Sequence, residues 1–462
     1  MMRPVTSGEA SVNGRHHAFA SLRHRNFRLF FFGQLISLIG TWMQRIAQAW
    51  LVLQLTNSAF LLGLVGALQW LPMLILSLIG GVVADRVSKR NLLVLTQTAQ
   101  MLQAFGLGAL VLSGAVRYWH IVLFACALGV TSAFDTPARQ SFIFEMVEGT
   151  DTMNAVALNS TIFNAARLFG PAIAGLAIAS LGMAYAFLAN GVSFIPVIAA
   201  LVMMRVQPIQ NVELESGVLT HLREGLAYLV RTPVAIQTIV LVCLESVFVM
   251  NFNIIVPVLA KNVLHQDAGG FGLLMSAQGA GALAGALFIA SVSHLGPHPA
   301  VMYGGAALLG AMNLLLAGAR QFGVAAVILA AAGASMVTFT ATANTTLQVT
   351  APGHMRGRVM SMYALVMGGM TPAGALFTGA VAEMWGAPAE LAVAGGIGVL
   401  SAAAVLRWRQ LTRSRGAPAP SGRRRLPHSV TEAEAAASAD FEKPASTREP
   451  RSEPEPGSGD GA

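Results

Sequence analysis

Three charged residues occupy the places in this chain where charge is most costly. Arg45, Arg167 and Glu245 each lie within an apolar run of roughly 20 residues or more, enough for a helix to cross a ~30 Å hydrocarbon core. A charge at that depth is a functional candidate by default. An arginine there can hold an anion. A carboxyl there can bind and release a proton, because desolvation penalises its charged form. On the first run, Gln34, Thr41, Arg45 and Gln48 fall on one helical stripe roughly 60° wide. That stripe must face protein or water rather than lipid. Arg167 is close to the centre of the fifth run, with Ser160, Asn164 and Pro171 on roughly the same face. Gly170, Pro171 and Gly175 permit close helix approach and bending, so Gly170 and Pro171 form a candidate hinge. Glu245 lies about halfway along the seventh run, and its face continues through apolar Val249, Phe252 and Val256. Two readings of Glu245 stand: a proton-binding carboxyl, or a structural partner of Arg45 or Arg167.

The elements that position these residues follow from composition. Of 462 residues, 55% are hydrophobic and 11% charged, against about 25% charged in an ordinary soluble protein. The sparse charge also argues against a transmembrane β-barrel, whose strands alternate with a polar lumen. The expected fold is an all-α polytopic membrane protein. Spans are predicted at 27–55, 59–83, 91–113, 119–137, 153–181 and 184–204, then at 234–260, 270–293, 299–319, 322–347, 359–385 and 387–408. This is about twelve helices, six on each side of a central segment.

The chain therefore divides into a cytoplasmic N-terminal segment (1–26), a six-helix bundle (27–204), a central loop (205–233), a second six-helix bundle (234–408) and a tail (409–462). Within the central loop, Leu222, Leu226 and Leu229 with Arg223 and Glu224 predict a short amphipathic helix over 219–229, lying on the cytoplasmic face. The tail, rich in Pro, Ser, Ala, Glu and Arg, has little to bury and is expected to be disordered. The halves echo one another. The fifth span holds Gly170-Pro171 and Gly175, and the eleventh holds Thr371-Pro372 and Gly379. A six-plus-six repeat places a substrate cavity between the halves near the bilayer midplane.

Net charge is +8, but the cations alternate between loops. Arg23, Arg25, Arg86, Lys89, Arg90, Arg139, Arg205, Arg223, Arg231, Arg356, Arg358 and the Arg407–Arg425 cluster share one side, whereas Arg117, Lys261 and Arg320 occupy the other. This is an orientation signal with both termini cytoplasmic, not a nucleic-acid footprint. Cys126 and Cys243 fall inside spans, which disfavours a disulfide or a metal site. The histidines lack metal-ligand spacing, and no Walker-type nucleotide loop occurs.

The loop after the second span, Gly81-Val-Val-Ala-Asp85-Arg86-Val-Ser-Lys89-Arg90, resembles the signature loop of the major facilitator superfamily (MFS). Ser88 stands where that family's second glycine is usual. The stretches Trp42–Leu51, Ala133–Phe142, Asn154–Ser160 and Arg356–Val359 are similar to the branch of enterobactin exporters, or transmembrane secretion effectors, which includes siderophore exporters and drug-efflux proteins. The resemblance implies the MFS fold, twelve transmembrane helices in two six-helix pseudo-repeats, and export from the cytoplasm driven by the proton gradient. It implies a cavity lined by helices one, four, seven and ten with help from five and eleven, the helices that carry Arg45, Arg167 and Glu245. It also implies a conformational latch of Gly81, Asp85, Arg86, Lys89, Arg90, Asp135 and Arg139. There Asp135 is expected beside Arg86 or Arg90, and Asp85 at the N-terminus of the eleventh span, with Arg356 and Arg358 near the same surface.

The expected partners are a small organic molecule, protons and the lipid bilayer, with no cofactor, metal or nucleic acid and a monomeric state. The expected location is a bacterial inner membrane. A lipid-modifying membrane enzyme would need a reactive cluster near an interface, and none is seen in the sequence. A transporter-derived sensor or scaffold would have lost its coupling residues, against which Glu245 and the charged loop weigh.

Overall fold

A backbone in hydrocarbon must satisfy its own N–H and C=O groups, and an apolar run does so as a helix. The computed structural model describes residues 19–147, 151–204, 218–292, 294 and 296–415, and every regular element among them is helical. After a short 3₁₀ turn (Ala20–Arg23) come α1 (Arg25–Thr56), α2 (Ala59–Arg86), α3 (Lys89–Leu112), α4 (Tyr118–Met146), α5 (Thr152–Leu181) and α6 (Met183–Met203). The amphipathic helix is α7 (Val218–Arg231). The remainder comprises α8 (Pro233–Phe248), α9 (Phe252–Asn262), α10 (Ala268–Val292), α11 (Pro299–Gly318), α12 (Phe322–Thr350), α13 (Arg356–Gly369) and α14 (Thr371–Arg415). All but the last residues of α14 belong to one compact unit ending at Thr412.

Punctuation follows local chemistry. Asn57 adopts a left-handed conformation (φ 50°) at the end of α1, which asparagine tolerates better than other non-glycine residues. Ser58 then caps α2, its side chain accepting the Leu61 N–H. Gly386, at φ 83°, breaks α14 into two arms, 371–385 and 387–415.

Length and apolar composition qualify nine stretches as membrane-crossing among the described residues, the last being Arg356–Thr412. The twelve-span reading adds α1 and α3, which carry more polar side chains, and divides the last stretch at Gly386. The structure corrects several predicted boundaries. The seventh span is two helices, α8 and α9, interrupted at 249–251. The face of Glu245 therefore does not continue through Phe252 and Val256. Helix α4 runs on through Pro137 to Met146, because a proline costs only a local hydrogen bond when neighbouring helices support the turn. Residues 409–415, assigned to the tail, continue α14. Residues 1–18, the segment 205–217 with Arg205, and the tail from 416 lie outside the described residues.

Helix α1 packs on α5 and α6, α2 on α4, and α3 on α4 and α6. Helix α10 packs on both α12 and α5, which ties the first six helices to the later ones. Polar side chains cross-link α1, α3 and α6: Gln44 Nε2 donates to Gln103 Oε1 at 2.9 Å, and Asn190 Nδ2 donates to Gln44 Oε1 at 2.6 Å. Amide pairs of this kind hold membrane helices in register where apolar contact alone is nonspecific. Helix α7 lies against α13, its Glu224 paired with Arg358 at 2.8 Å and Tyr228 donating to the Thr350 carbonyl at 2.9 Å. Its Leu229 is buried and Leu226 exposed.

Candidate functional site

The interruption of α8 and α9 opens onto a cavity. About 840 Å³ of non-protein space, its solvent-connected part included, lies between α1 and α2 on one side and α9, α10 and the start of α14 on the other. Its polar side chains are Arg45 and Gln48 from α1, Gln69 from α2, Asn251 and Asn253 at the break, and Thr371. Trp70, Ile254, Phe271 and other apolar side chains make the walls. Both interruptions among the later helices, at 249–251 and at Met370, adjoin it. Irregular backbone at membrane depth is tolerated where it lines such a cavity.

Arg45 carries the charge of this site. Its guanidinium carbon lies 4.7 Å from the Trp42 ring centroid. Its Nε has no hydrogen-bond partner, and no ion pair among the described residues involves it. The indole face offsets part of the charge, but the fork of N–H donors is left without a carboxylate. Beside it, Gln48 Nε2 donates to Gln69 Oε1 at 3.2 Å. A cavity with one uncompensated guanidinium, several amides and aromatic walls suits an organic molecule with an anionic group.

The other predicted pathway residues lie elsewhere. Gln34 is buried without a partner for its Oε1, and Thr41 bonds back to the Ser37 carbonyl; neither lines the cavity. Arg167 does not line it either, and its Nη2 makes a long contact, 4.0 Å, to the Met336 sulfur on α12. Glu245 is fully buried and faces α14, where Ser401 Oγ donates to its Oε1 at 3.1 Å and its Oε2 is unpartnered. The expected convergence of Arg45, Arg167 and Glu245 is thus corrected for Glu245, which faces α14 with no ion pair to either arginine; Arg167 lies off the cavity lining but within electrostatic reach of Arg45. The physical reason is the broken seventh span, which turns Met250 and Asn251, not Glu245, into the cavity.

The charged loop also departs from expectation in its contacts. Asp135 does not meet Arg86 or Arg90. It pairs with Arg139 one turn away at 2.9 Å and accepts from Thr96 Oγ1 at 2.9 Å and Gln97 Nε2 at 2.8 Å, so α3 and α4 already satisfy it. Arg90 donates to the Leu201 and Val202 carbonyls, each at 2.8 Å, capping the end of α6 where carbonyls lack helical partners. Lys89 pairs with Glu145. Asp85 and Arg86 are exposed, and no ion pair among the described residues joins them to another element. Ser88 takes φ −57°, a conformation open to any residue, so glycine is not needed there. Gly81 faces open space.

The candidate hinge is continuous helix: α5 runs unbroken through Gly170 and Pro171. A side chain on Gly170 would strike Trp42 of α1, and one on Gly272 of α10 would strike the Pro171 carbonyl. These residues serve as crossing points. Gly175 meets the Gly269 carbonyl of α10, 2.9 Å from where a Cβ would sit. Its counterpart in the repeat, Gly379, meets the Ala59 carbonyl of α2 at 2.8 Å on the same measure.

Sequence reasoning missed Gln69, Asn251, Asn253, Glu383 and Glu390. Each is a polar residue in or beside an apolar run that neither extends a polar stripe, as Gln34 and Gln48 do on the first span, nor carries a charge near a span centre. Glu390 is buried, with Oε2 unpartnered. Glu383 makes hydrogen bonds to the start of α2.

Comparison with known proteins decides the family. The sequence profile of the transmembrane secretion effectors matches residues 16–434. The chain belongs to that family. Membership makes it a multi-pass membrane transporter of the major facilitator superfamily rather than an enzyme. It is 26% identical over 369 residues to a multidrug efflux pump, Tap, of Mycolicibacterium fortuitum, covering 78% of this chain and 89% of that one. It is 32% identical over 168 residues to the staphyloferrin A transporter of Staphylococcus aureus, covering 36% of this chain and 42% of that protein's length. It is 27% identical to the enterobactin exporter EntS of Shigella boydii over 59% of this chain and 64% of that one. Among solved structures, a bacterial homologue of the human lysosomal transporter Spinster superposes with TM-score 0.68 at 12% identity, covering 86% of this chain and 99% of that one. The nucleoside transporter NupG gives TM-score 0.68 at 12% identity over 84% and 99%. These likenesses carry the fold alone.

Proposed function

We propose that this protein exports a small organic molecule with an anionic group, siderophore-like or an amphipathic drug, from the cytoplasm by alternating access coupled to proton antiport. The observation that carries the reading is the unpaired Arg45 guanidinium in an amide- and aromatic-lined cavity between α1–α2 and α9–α10. The similarity to siderophore and multidrug exporters supports it. On this reading the helices form two six-helix bundles, 27–204 and 234–408, with twelve crossings. The basic loops place both termini in the cytoplasm of a bacterial inner membrane. The α1–α2 turn is then on the outer side, and its contacts with Lys261 and Glu383 make this an inward-facing state. The loop bearing Asp85 and Arg86 is on the open side, which accounts for its lack of partners; it engages when that side closes.

Glu245 is the proposed proton carrier. It is held away from water with a single hydroxyl donor and no cation beside it, the surroundings in which a carboxyl exchanges protons rather than anchoring a salt bridge. Its separation from the cavity makes the coupling indirect, through movement of α8 and α14 rather than through competition for one site.

Cargo recognition is tested at Arg45. The Arg45→Gln variant is expected to raise KM for a carboxylate- or catecholate-bearing cargo about tenfold, the loss of one charge-assisted contact. A neutral amphipathic cargo of similar size is expected to change less than twofold. Equal effects on both cargoes remove the anion-binding role.

A further inference from the structure

The turn between α1 and α2 is gripped by two charged residues from the second half of the chain. Glu383, near the end of the first arm of α14, accepts from Ser58 Oγ at 3.0 Å and from the backbone N–H groups of Ala59 at 2.7 Å and Phe60 at 3.3 Å. Those amides belong to the first turn of α2, which has no intrahelical partners for its leading N–H groups. Ser58 Oγ takes the Leu61 N–H at 3.1 Å, and the N–H of Ser58 itself reaches Thr56 Oγ1 at 3.3 Å. All four orphan donors of α2 are therefore satisfied, two of them by Glu383.

Lys261, in the last turn of α9, does the reverse for α1. Its Nζ donates to Asn57 Oδ1 at 2.9 Å and to the Leu53 carbonyl at 2.7 Å, a carbonyl in the last turn of α1 that also accepts the Asn57 N–H at 3.1 Å. Each charge has the sign its helix end favours: an anion at the start of α2, a cation at the end of α1. The two do not pair with each other. Just inward of them α2 and α14 cross at Gly63 and Gly379, and beyond that crossing lies the Arg45 cavity.

We infer that Lys261 and Glu383 form an outer latch, two helix caps that close the cavity on the outer side and are released in each transport cycle. The inference rests on the alternating-access reading proposed above. Charge-assisted caps suit a reversible seal: they are strong when made, yet Glu383 is exposed and Lys261 partly so, so water replaces them when the helices part.

The test uses the full chain in intact cells, with Cys126→Ser and Cys243→Ser to remove the native thiols and Ala49→Cys in the cavity wall. A membrane-impermeant maleimide added outside reports outer opening. Glu383→Gln together with Lys261→Gln is expected to raise the labelling rate on the order of tenfold. Glu383→Gln alone, which keeps the side chain's shape, is expected to raise it about threefold on the same basis. Lys261→Arg is expected to label like the unaltered latch. The exchange Glu383→Lys with Lys261→Glu is expected to label at least as fast as the double neutral variant, since each helix end then meets the wrong sign.

Unchanged labelling in both neutral variants overturns the latch. Restored closure in the exchange variant overturns the capping account and makes the residues an ion pair. The readout needs no cargo. A chain that labels as expected and exports nothing keeps the latch and loses the exporter reading, whereas export with unaltered labelling does the opposite.

Discussion

Replacing Gly63 with valine is expected to cut the initial efflux rate at least tenfold while leaving the protein inserted in the membrane. A Cβ on Gly63 would collide with the Ala375 carbonyl, and the Gly379 Cα one turn along α14 would lie 3.1 Å from it. Both are backbone atoms of a packed helix, which cannot rotate aside as a side-chain tip can. Overpacking a tight site costs about 1–3 kcal/mol. Here the cost falls only on the state in which α2 and α14 touch, so it shifts the equilibrium between states by about five- to 150-fold. Gly379→Val is expected to act alike, because its Cβ would approach the Ala59 carbonyl to 2.8 Å. Gly304→Ala on α11, with open space around it, is the control and is expected to stay within twofold. Efflux by Gly63→Val at the unaltered rate would mean that the α2–α14 crossing is not part of the cycle.

The second large effect is expected at Glu245. Glu245→Gln keeps the shape of the side chain and an oxygen able to accept from Ser401 Oγ, now at 3.1 Å, and loses only the capacity to bind and release a proton. Accumulation driven by a pH gradient is expected to fall about tenfold or more, towards the level without a gradient. Exchange of labelled for unlabelled cargo at equal pH is expected to persist, since it needs alternation and binding but no net proton movement. A purely structural role predicts a different pattern, with both activities lost together or neither. Gradient-driven accumulation that survives the substitution would remove Glu245 as the proton site.

The helices were legible in the sequence because their cause is local. An apolar run of sufficient length has one way to satisfy its backbone in hydrocarbon, and α5 begins and ends within a residue of its expected bounds. What was not legible depended on neighbours. The break at 249–251 sits in an apolar run whose polar residues there are Asn251 and Asn253, and the cavity beside it explains why backbone irregularity is tolerated. Arg45 was found because a charge in a span announces itself, whereas Asn251 and Gln69, which share its cavity, carry no such mark. Asp135 was expected beside the charged loop, because nothing in the sequence marks Thr96 and Gln97 of α3, 39 and 38 residues away, as the side chains that reach it. Glu383 was overlooked because its role lies in the backbone it caps, and a helix end from a distant part of the chain leaves no trace in the residues around it. Gly175 and Gly379 are the clearest gain from the internal repeat: paired in sequence by position, they make the corresponding contacts with α10 and α2.

On the proposed function, a proton gradient drives an anionic organic cargo out through the Arg45 cavity. Its most direct measurement is uptake of a radiolabelled carboxylate or catecholate chelator into inside-out membrane vesicles, acidified inside by respiration, with and without a protonophore. Accumulation is expected to exceed the external concentration, to collapse when the protonophore is added and to be absent from vesicles lacking the protein. Accumulation that persists in full after the gradient is dissipated, or none for any anionic cargo under a maintained gradient, would contradict it.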